Sequence, residues 1–467
     1  MNSAAVQKPK LLSLAWPIFV EEGLRVLIAT VDTFMVSHLG DDAVAGLGVA
    51  SQFIILFIII YAFVGIGSSV VLTHHLGAHD RKGADRIAST AIAVNTWLGL
   101  GTSILVCALA APMLHLMHLP PGPYHFALPF LSFMGGSLFL EAMSISISAI
   151  LRAHTHTRAA MLVAVGQNVL NVVGNCLLLF GWFGFPKLGV VGVAISSVIS
   201  RILACAALWV LLEYYTRIKL RLRDFFQIES KRLRAILHIG LPAAGENICW
   251  WLAFMVVTAM IATTGGDRLA TQSYVMQIIR WVILFSYAIG MGTEIIIGHL
   301  IGSGDYEHAY RELLRNLRLG FVCAITGSIA LAFLAPHFLA FFTHDPVVIA
   351  VGVVLIRFGL ILEPGRVFNL VVINALRATG DARFPVLMGM ASMWGVWVPL
   401  SWLLGIKLGF GLPGFWAAMV CDEWLRGVMM YRRWKHKRWL PYAESVRSRL
   451  ADQKAADQAL AAVPSDP

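Results

Sequence analysis

Residues 53–63 read FIILFIIIYAF and form the centre of an apolar stretch that extends over residues 45–74. A membrane-spanning helix needs about 20 apolar residues, whereas the strands of a membrane barrel alternate apolar and polar side chains. The run shows no alternation and therefore predicts a transmembrane helix. Further apolar stretches of similar length, which together predict an all-α membrane protein with twelve transmembrane helices, lie at 11–38, 83–112, 124–152, 158–181, 188–213, 235–264, 268–300, 306–335, 346–377, 382–406 and 411–434.

The composition of the chain supports this interpretation. Of its 467 residues, 58% are hydrophobic and only 13% are charged, and the mean hydropathy is +0.74. Soluble domains carry about a quarter charged residues. The numbers argue against a soluble enzyme, a disordered protein or a nucleic-acid-binding domain, despite a formal net charge of +10. The expected surroundings are the lipid bilayer, with no nucleic-acid partner.

Lysine and arginine are distributed unevenly between the two sides of the predicted membrane. Of the 36 basic residues, 27 fall in the termini and in alternate loops, whereas the intervening loops hold only Lys187, Arg268 and Lys407. Because basic residues accumulate on the cytoplasmic side of a membrane, both termini are predicted to be cytoplasmic. The expected location is a bacterial-type inner membrane.

The most basic loop also divides the chain. Residues 214–234 carry seven lysines and arginines and lie between the predicted sixth and seventh helices. They are expected to form a cytoplasmic linker between an N-terminal six-helix lobe, 1–213, and a C-terminal six-helix lobe, 235–436. Residues 437–467 are polar and alanine-rich, which predicts a solvated or frayed cytoplasmic tail.

The two predicted lobes repeat each other at a shift of 225 residues. Residues 40–45 (GDDAVA) match 265–270 (GGDRLA), and the Leu-Arg-Ala turn at 151–153 matches the one at 376–378. After Gly189 the shift becomes 222. Six helices separate equivalent points, so the two lobes run parallel and would be related by an axis along the membrane normal. Transporters commonly place their substrate path between such repeats.

Several short motifs resemble those of one known transporter family. Val31-Asp32-Thr33 followed by Leu39-Gly40 resembles the first-helix signature of multidrug and toxic compound extrusion (MATE) transporters, and Asp422-Glu423-x-x-Arg426 fits the last helix of one bacterial branch. The resemblance covers residues 11–436. It implies a V-shaped pair of pseudo-symmetric six-helix bundles that exports organic compounds in exchange for H⁺ or Na⁺.

Asp32 is the strongest candidate for ion coupling. A charge inside a membrane needs a partner, a water-filled cavity or a function. Glu21 and Arg25 can neutralise each other at a spacing of four residues, but Asp32 lies two turns beyond Arg25. In the family that this chain resembles, an aspartate at this position is a cation or proton site.

The predicted fifth helix carries a polar stripe that could complete the same site. Asn168, Asn171 and Asn175 share one face of the helix, and the alternative to a site is simple hydrogen bonding between helices. The resemblance aligns Ser197 with a hydroxyl of the family site and Asn175 with a position that is often aspartate. The lost carboxylate favours H⁺ over Na⁺ as the coupling ion.

A second group of polar residues is expected to line a substrate cavity. These candidates are Glu141, Asn168, Glu246, Arg366 and Asn369. Their charges would give the cavity an acidic and a basic side.

Two neighbours of these candidates have different expected roles. Glu363 precedes Arg366 by three residues and should pair with it, whereas Arg201 is left as structural or of unknown role. One branch of the family couples through carboxylates on the seventh and tenth helices, where this chain has Trp250 and Arg366.

The sequence thus predicts a secondary antiporter for a small organic substrate, monomeric and without a cofactor or metal. A lipid-linked saccharide flippase of the same superfamily is the first alternative. A polytopic membrane enzyme is the second, although no catalytic motif supports it. Histidines such as His74 and His75 lie at helix ends, where solvated histidines are expected.

Overall fold

The computed structural model of the protein describes residues 10–462. Regular structure within these residues is helical and no strand occurs among them, which confirms the predicted all-α fold class. The helices are α1 Leu11–Ser37, α2 Asp41–Gly77, α3 Arg81–Leu116, α4 Pro121–Gly136, α5 Leu138–Ala153, α6 Thr157–Phe180, α7 Val190–Thr216, α8 Ser230–Ala262, α9 Gly266–Ser303, α10 Tyr306–Phe342, α11 Pro346–Ala378, α12 Arg383–Lys407, α13 Leu412–Lys435 and α14 Leu440–Ala462. Two π-helical stretches, Met393–Trp397 and Ser401–Lys407, interrupt α12.

Among the described residues, nine helices are long and apolar enough to cross a membrane. The count becomes ten when α4 and α5, which meet at a bend of 47°, are taken as one broken span. The remaining two predicted spans correspond to α1 and α13. Both are helical, but their charged residues leave them outside this count, and the number twelve stays a prediction.

The described chain divides into two compact units. The N-terminal unit contains Val20–Leu72 and Arg81–Gly240, and the C-terminal unit contains the chain up to Phe19, Thr73–Asp80 and everything from Leu241. Helices α1, α2 and α8 therefore contribute residues to both units. The division into sequential lobes at 214–234 remains a separate prediction, based on the repeat.

Each unit is built around buried apolar side chains from several helices. In the N-terminal unit, Val36, Tyr61, Val106 and Leu131 belong to one cluster that joins α1 through α7. Many large apolar side chains lie instead on the surface, for example Phe341, which is 86% exposed. A surface this apolar is expected where a protein faces lipid, because water would disfavour it.

Two equivalent glycines allow a close helix crossing in the C-terminal unit. Gly77 of α2 lies against the carbonyl of His299 on α9, and Gly302 of α9 lies against the carbonyl of His74 on α2. A β-carbon at either glycine would collide with that carbonyl. Small residues permit such close packing in membrane helices, and the reciprocal contacts follow the shift of 225 residues.

The predicted tail forms a helix at Leu440–Ala462, and it is not solvated on every side because one face of its first part is buried. Helix α14 buries Ala443, Val446 and Leu450, and Trp439 stacks on Trp434 with ring centroids 4.5 Å apart. The apolar residues recur every three to four positions, so one face of a mostly polar helix packs on the C-terminal unit. Residues 463–467 lie outside the described chain.

Candidate coupling site and buried ion pairs

Four of the predicted site residues meet in the N-terminal unit. Asn175 of α6 donates from Nδ2 to Oδ1 of Asp32 on α1, at 2.7 Å. The same nitrogen lies 3.2 Å from Oδ1 of Asn171, one turn earlier on α6. Asn171 in turn donates to Oγ of Ser197 on α7, at 2.9 Å. A continuous hydrogen-bonded chain therefore runs from the carboxylate of Asp32 to the hydroxyl of Ser197.

The partner of Asp32 is an amide and not a cation. Within the described part of the chain, no ion pair involves Asp32, which separates it from the other acids of α1. Oδ1 of Asn175 is buried and has no hydrogen-bond partner among the described residues. The site thus holds one carboxyl group beside an amide that has a spare acceptor.

Asn168 does not join this chain of hydrogen bonds. Although it shares a helix face with Asn171 and Asn175, its Nδ2 donates to the carbonyl of Ala164 on the same helix, at 2.8 Å. Its predicted role in the substrate cavity stays a prediction.

Other charged side chains on α1, α5 and α7 of the N-terminal unit form ion pairs with one another. Glu21 accepts from Arg152 at 2.7 Å and lies 3.5 Å from Arg25, which confirms the predicted Glu21–Arg25 pair but gives Glu21 a closer partner. Glu141 on α5 pairs with Arg201 on α7 at 3.2 Å and lies 3.9 Å from Arg25.

The bend between α4 and α5 contributes a hydrogen-bond partner for Arg201. Gly135, Gly136 and Ser137 form the break, and Nη1 of Arg201 donates to Oγ of Ser137 at 3.1 Å. Glycine and serine pairs are common causes of sharp helix bends. The bend therefore places a hydroxyl where it can hold the arginine that neutralises Glu141.

In the C-terminal unit, the predicted cavity residues are also paired. Glu246 on α8 accepts from Arg377 on α11 at 2.6 Å. Arg366 forms the predicted ion pair with Glu363 and lies 3.7 Å from Glu423 on α13. All of these side chains are buried.

Asn369 and α13 extend this second network. Asn369 donates to Glu423 at 2.9 Å. Arg426 contacts Glu423 at 3.0 Å and Asp422 at 2.8 Å, and Ser392 donates to Asp422 at 2.5 Å. A substrate that contacted Arg366 or Asn369 would have to compete with these partners.

Sequence reasoning did not find the acidic partners of three arginines that complete the networks, namely Arg152, Arg201 and Arg377. Arg152 and Arg377 belong to the two Leu-Arg-Ala turns, and each lies 131 residues after its glutamate. The shift of 225 residues relates the two pairs. That coincidence was a usable signal, because two acids and two bases related by the same shift are expected to form two equivalent ion pairs.

Comparisons with known proteins agree with the repeat and with the fold. The family model described as MatE matches twice, at residues 17–177 and 242–403. The uncharacterized transporter YisQ of Bacillus subtilis (strain 168) is 40% identical, over 94% of this chain and 98% of that protein. The probable multidrug resistance protein NorM of Pseudomonas aeruginosa is 26% identical, over 97% of this chain and 95% of that protein.

Solved structures show the same fold. A MATE transporter crystallised in the bent conformation has a TM-score of 0.85 at 19% identity, covering 94% of this chain and 96% of that one. An outward-facing multidrug resistance MATE transporter of the MOP superfamily has a TM-score of 0.84, also at 19% identity, with coverages of 92% and 96%.

These relatives and neighbours are transporters and not enzymes, and they favour multidrug efflux over the flippase alternative. Their family implies a multi-pass membrane protein that handles small molecules without a cofactor. Since the MatE model covers most of both halves of the chain, this protein belongs to the MATE family of membrane transporters.

Proposed function

We propose that the protein is a secondary antiporter that exports small organic compounds in exchange for protons, and that Asp32 carries the coupling proton. The observation that carries the proposal is the contact between Asp32 and Asn175, in which a half-buried acid has a neutral amide as its closest partner. An acid that lacks a fixed counter-charge can change its protonation state without breaking an ion pair. The remaining acids of α1 lack this freedom, because arginines hold them.

The geometry supports a simple exchange of hydrogen bonds at the site. When Asp32 is ionised, its Oδ1 accepts from Asn175. When it is protonated, its hydroxyl can donate, and the unpartnered Oδ1 of Asn175 offers an acceptor. The amide would turn to make that bond, and its second contact, to Asn171, would change with it. The hydrogen bond from Asn171 to Ser197 would then change as well. One protonation event would thus alter contacts of α1, α6 and α7.

The same geometry argues for H⁺ in preference to Na⁺. A hard cation is bound by several oxygen ligands, but the nearest neighbour of Asp32 presents an N–H donor to it. Asn175 also stands where the family often has a second carboxylate. A single carboxylate beside an amide donor suits a proton better than a metal cation.

The proposed antiporter has both termini in the cytoplasm and two six-helix lobes. The excess of basic residues in alternate loops supports cytoplasmic termini and a bacterial inner membrane. The repeat supports two six-helix lobes, 1–213 and 235–436, joined by the linker 214–234. Glu141, Glu246, Arg366 and Asn369 would line the substrate path, and substrate would compete with their present partners.

The test is transport by purified protein in liposomes with an imposed pH gradient and no sodium. The wild-type protein should accumulate a test substrate, such as a cationic dye, against its gradient. Asp32→Asn should reduce this transport at least about 100-fold, because it removes the only titrating group of the site. Asp41→Asn, the same change at an exposed acid in the first turn of α2, should transport like the wild type. A strict requirement for Na⁺, with no response to the pH gradient, would refute the proposal.

A further inference from the structure

Within the linker 214–234, residues 217–229 connect α7 to α8 and are folded, although they contain little regular structure. Ile218 is buried, and residues Leu222–Phe225 form a 3₁₀ turn that starts where Asp224 accepts from the backbone N–H of Arg221, at 2.8 Å. Indole Nε1 of Trp97 on α3 donates to the carbonyl of Phe225 at 2.7 Å. The linker is therefore attached to the middle of α3.

This attachment leaves an aromatic surface exposed. The ring of Phe226 lies edge-on against Trp97, with centroids 5.4 Å apart, and yet Phe226 is 73% exposed. Tyr214, in the last turn of α7, is 75% exposed. Exposed aromatic rings at the ends of membrane helices are typical of the zone where lipid headgroups meet the acyl chains.

Most of the basic side chains around these rings have no acidic partner. Within the described chain, only Arg232 of the seven forms an ion pair, with Glu229 at 2.7 Å. Asp224 is occupied by the backbone of the turn. The other six are exposed and carry uncompensated positive charge: Arg217, Lys219, Arg221, Arg223, Lys231 and Arg234.

From this arrangement we infer that the linker is a binding surface for anionic lipids, with phosphate headgroups on the six free cations and Phe226 and Tyr214 among the acyl chains. Basic clusters next to a membrane helix attract anionic headgroups, and each lysine or arginine near the surface contributes to the attraction. Attraction of charge alone would not need exposed aromatic rings held in place by Trp97. The combination fits the surface of a bilayer better than it fits a soluble anion.

The basic residues at the start of α10 provide a contrast within the same molecule. Arg311 and Arg315 are also highly exposed, but each faces an acid on its own helix, Glu307 at 3.1 Å and Glu312 at 4.0 Å. Removal of charge there should leave lipid preference unchanged. These positions, together with the exposed Arg318, make a control with the same change in net charge.

The experiment compares lipid retention by purified protein exchanged into mixed bilayer discs of phosphatidylcholine and phosphatidylglycerol. Native mass spectrometry would count the lipids that stay bound. The wild type should retain phosphatidylglycerol preferentially. In the variant Lys219→Gln/Arg221→Gln/Arg223→Gln, the preference for phosphatidylglycerol should fall at least about tenfold, since each charge contributes about fivefold. The control variant Arg311→Gln/Arg315→Gln/Arg318→Gln should keep the preference of the wild type.

Two further arms decide the nature of the surface. Phe226→Ala should weaken retention while all charges remain, and an unchanged result would overturn the role of the aromatic rings. Soluble glycerol phosphate at millimolar concentration should not displace the lipid, and displacement would show a site for free phosphate instead. Equal lipid preference in the two triple variants would overturn the inference altogether. None of these readings depends on transport, so they stand apart from the proton-coupling proposal.

Discussion

The two units hold two equivalent ion pairs, and in the second of these pairs the acid and the base have exchanged positions between the units. Glu21–Arg152 and Glu246–Arg377 are the same pair, at 2.7 and 2.6 Å. The second pair is Glu141–Arg201 in the N-terminal unit. Its equivalent in the C-terminal unit is the contact of Arg366 with Glu423, with the acid and the base exchanged.

The exchange indicates what the fold requires at these positions. Glu141 corresponds to Arg366 at a shift of 225, and Arg201 corresponds to Glu423 at a shift of 222. Both members changed sign together, so the contact between neighbouring helices was kept while its direction was not. Removal of one partner from a buried pair leaves an uncompensated charge, which costs about 3–5 kcal/mol.

The hydrogen-bonded residues Asp32, Asn175, Asn171 and Ser197 have no polar counterpart in the C-terminal unit. Val257 stands where Asp32 would be expected in the second half, and Met419 stands in place of Ser197. The equivalent region of the C-terminal unit is apolar and packs in its core. The comparison therefore separates a shared framework of ion pairs from the proposed proton site, whose Asp32 and Ser197 are replaced by apolar residues in the C-terminal unit.

The largest expected effect comes from reversal of one charge in an exchanged pair. Glu141→Arg places a second arginine beside Arg201 and should lower the free energy of unfolding by about 3–5 kcal/mol. Glu141→Arg/Arg201→Glu should recover at least half of that loss, because the C-terminal unit already uses this orientation. Thermal unfolding of detergent-purified protein measures both variants.

The same double exchange in the C-terminal unit should fail. Arg366→Glu would face Glu363, and Glu423→Arg would face Arg426, so both exchanged side chains would meet a buried like charge. In the N-terminal unit the corresponding second contact is the longer one of Glu141 with Arg25, at 3.9 Å, and the Arg25 side chain is 38% exposed. Rescue in the C-terminal unit, or no rescue in the N-terminal unit, would contradict the account of these pairs.

A smaller loss of stability, equal in the two units, is expected at Glu21–Arg152 and Glu246–Arg377, the pairs with the same signs in both units. Glu21→Gln and Glu246→Gln each leave a buried arginine with an uncharged acceptor in place of a carboxylate. Each should lower stability by about 1.5–3 kcal/mol, the usual contribution of a hydrogen bond to a charged group. Melting curves that differ strongly between the two variants would show that the pairs are not equivalent.

The smallest expected effects concern the amides beside Asp32. Asn175→Ala removes the direct donor to Asp32 and should reduce proton-driven efflux about tenfold, the equivalent of one hydrogen bond. Asn171→Ala acts one step further away and should reduce it about threefold. Initial rates of efflux at matched protein levels give the order. The reverse order would place the functional contact at Ser197 instead of Asp32.

Much of this arrangement could be predicted from local patterns. Continuous apolar runs located the helices because a membrane span has a fixed length, and the spacing of Asn171 and Asn175 placed them on one face. The ion pairs with Arg152 and Arg377 could not be found locally, since each joins residues 131 positions apart. Helix α14 was missed because its buried face is narrow, and mean hydropathy cannot distinguish such a helix from a solvated tail.

The central claim is that one proton binds in the N-terminal unit and that substrate competes with it through Asp32. Proton release from purified protein in weakly buffered detergent, recorded while substrate is added, tests this most directly. The wild type should release about one proton for each substrate bound, and Asp32→Asn should bind substrate with no release, as linkage between the two ligands requires. Undiminished proton release by Asp32→Asn would contradict the account, because the exchanged proton would then belong to another group.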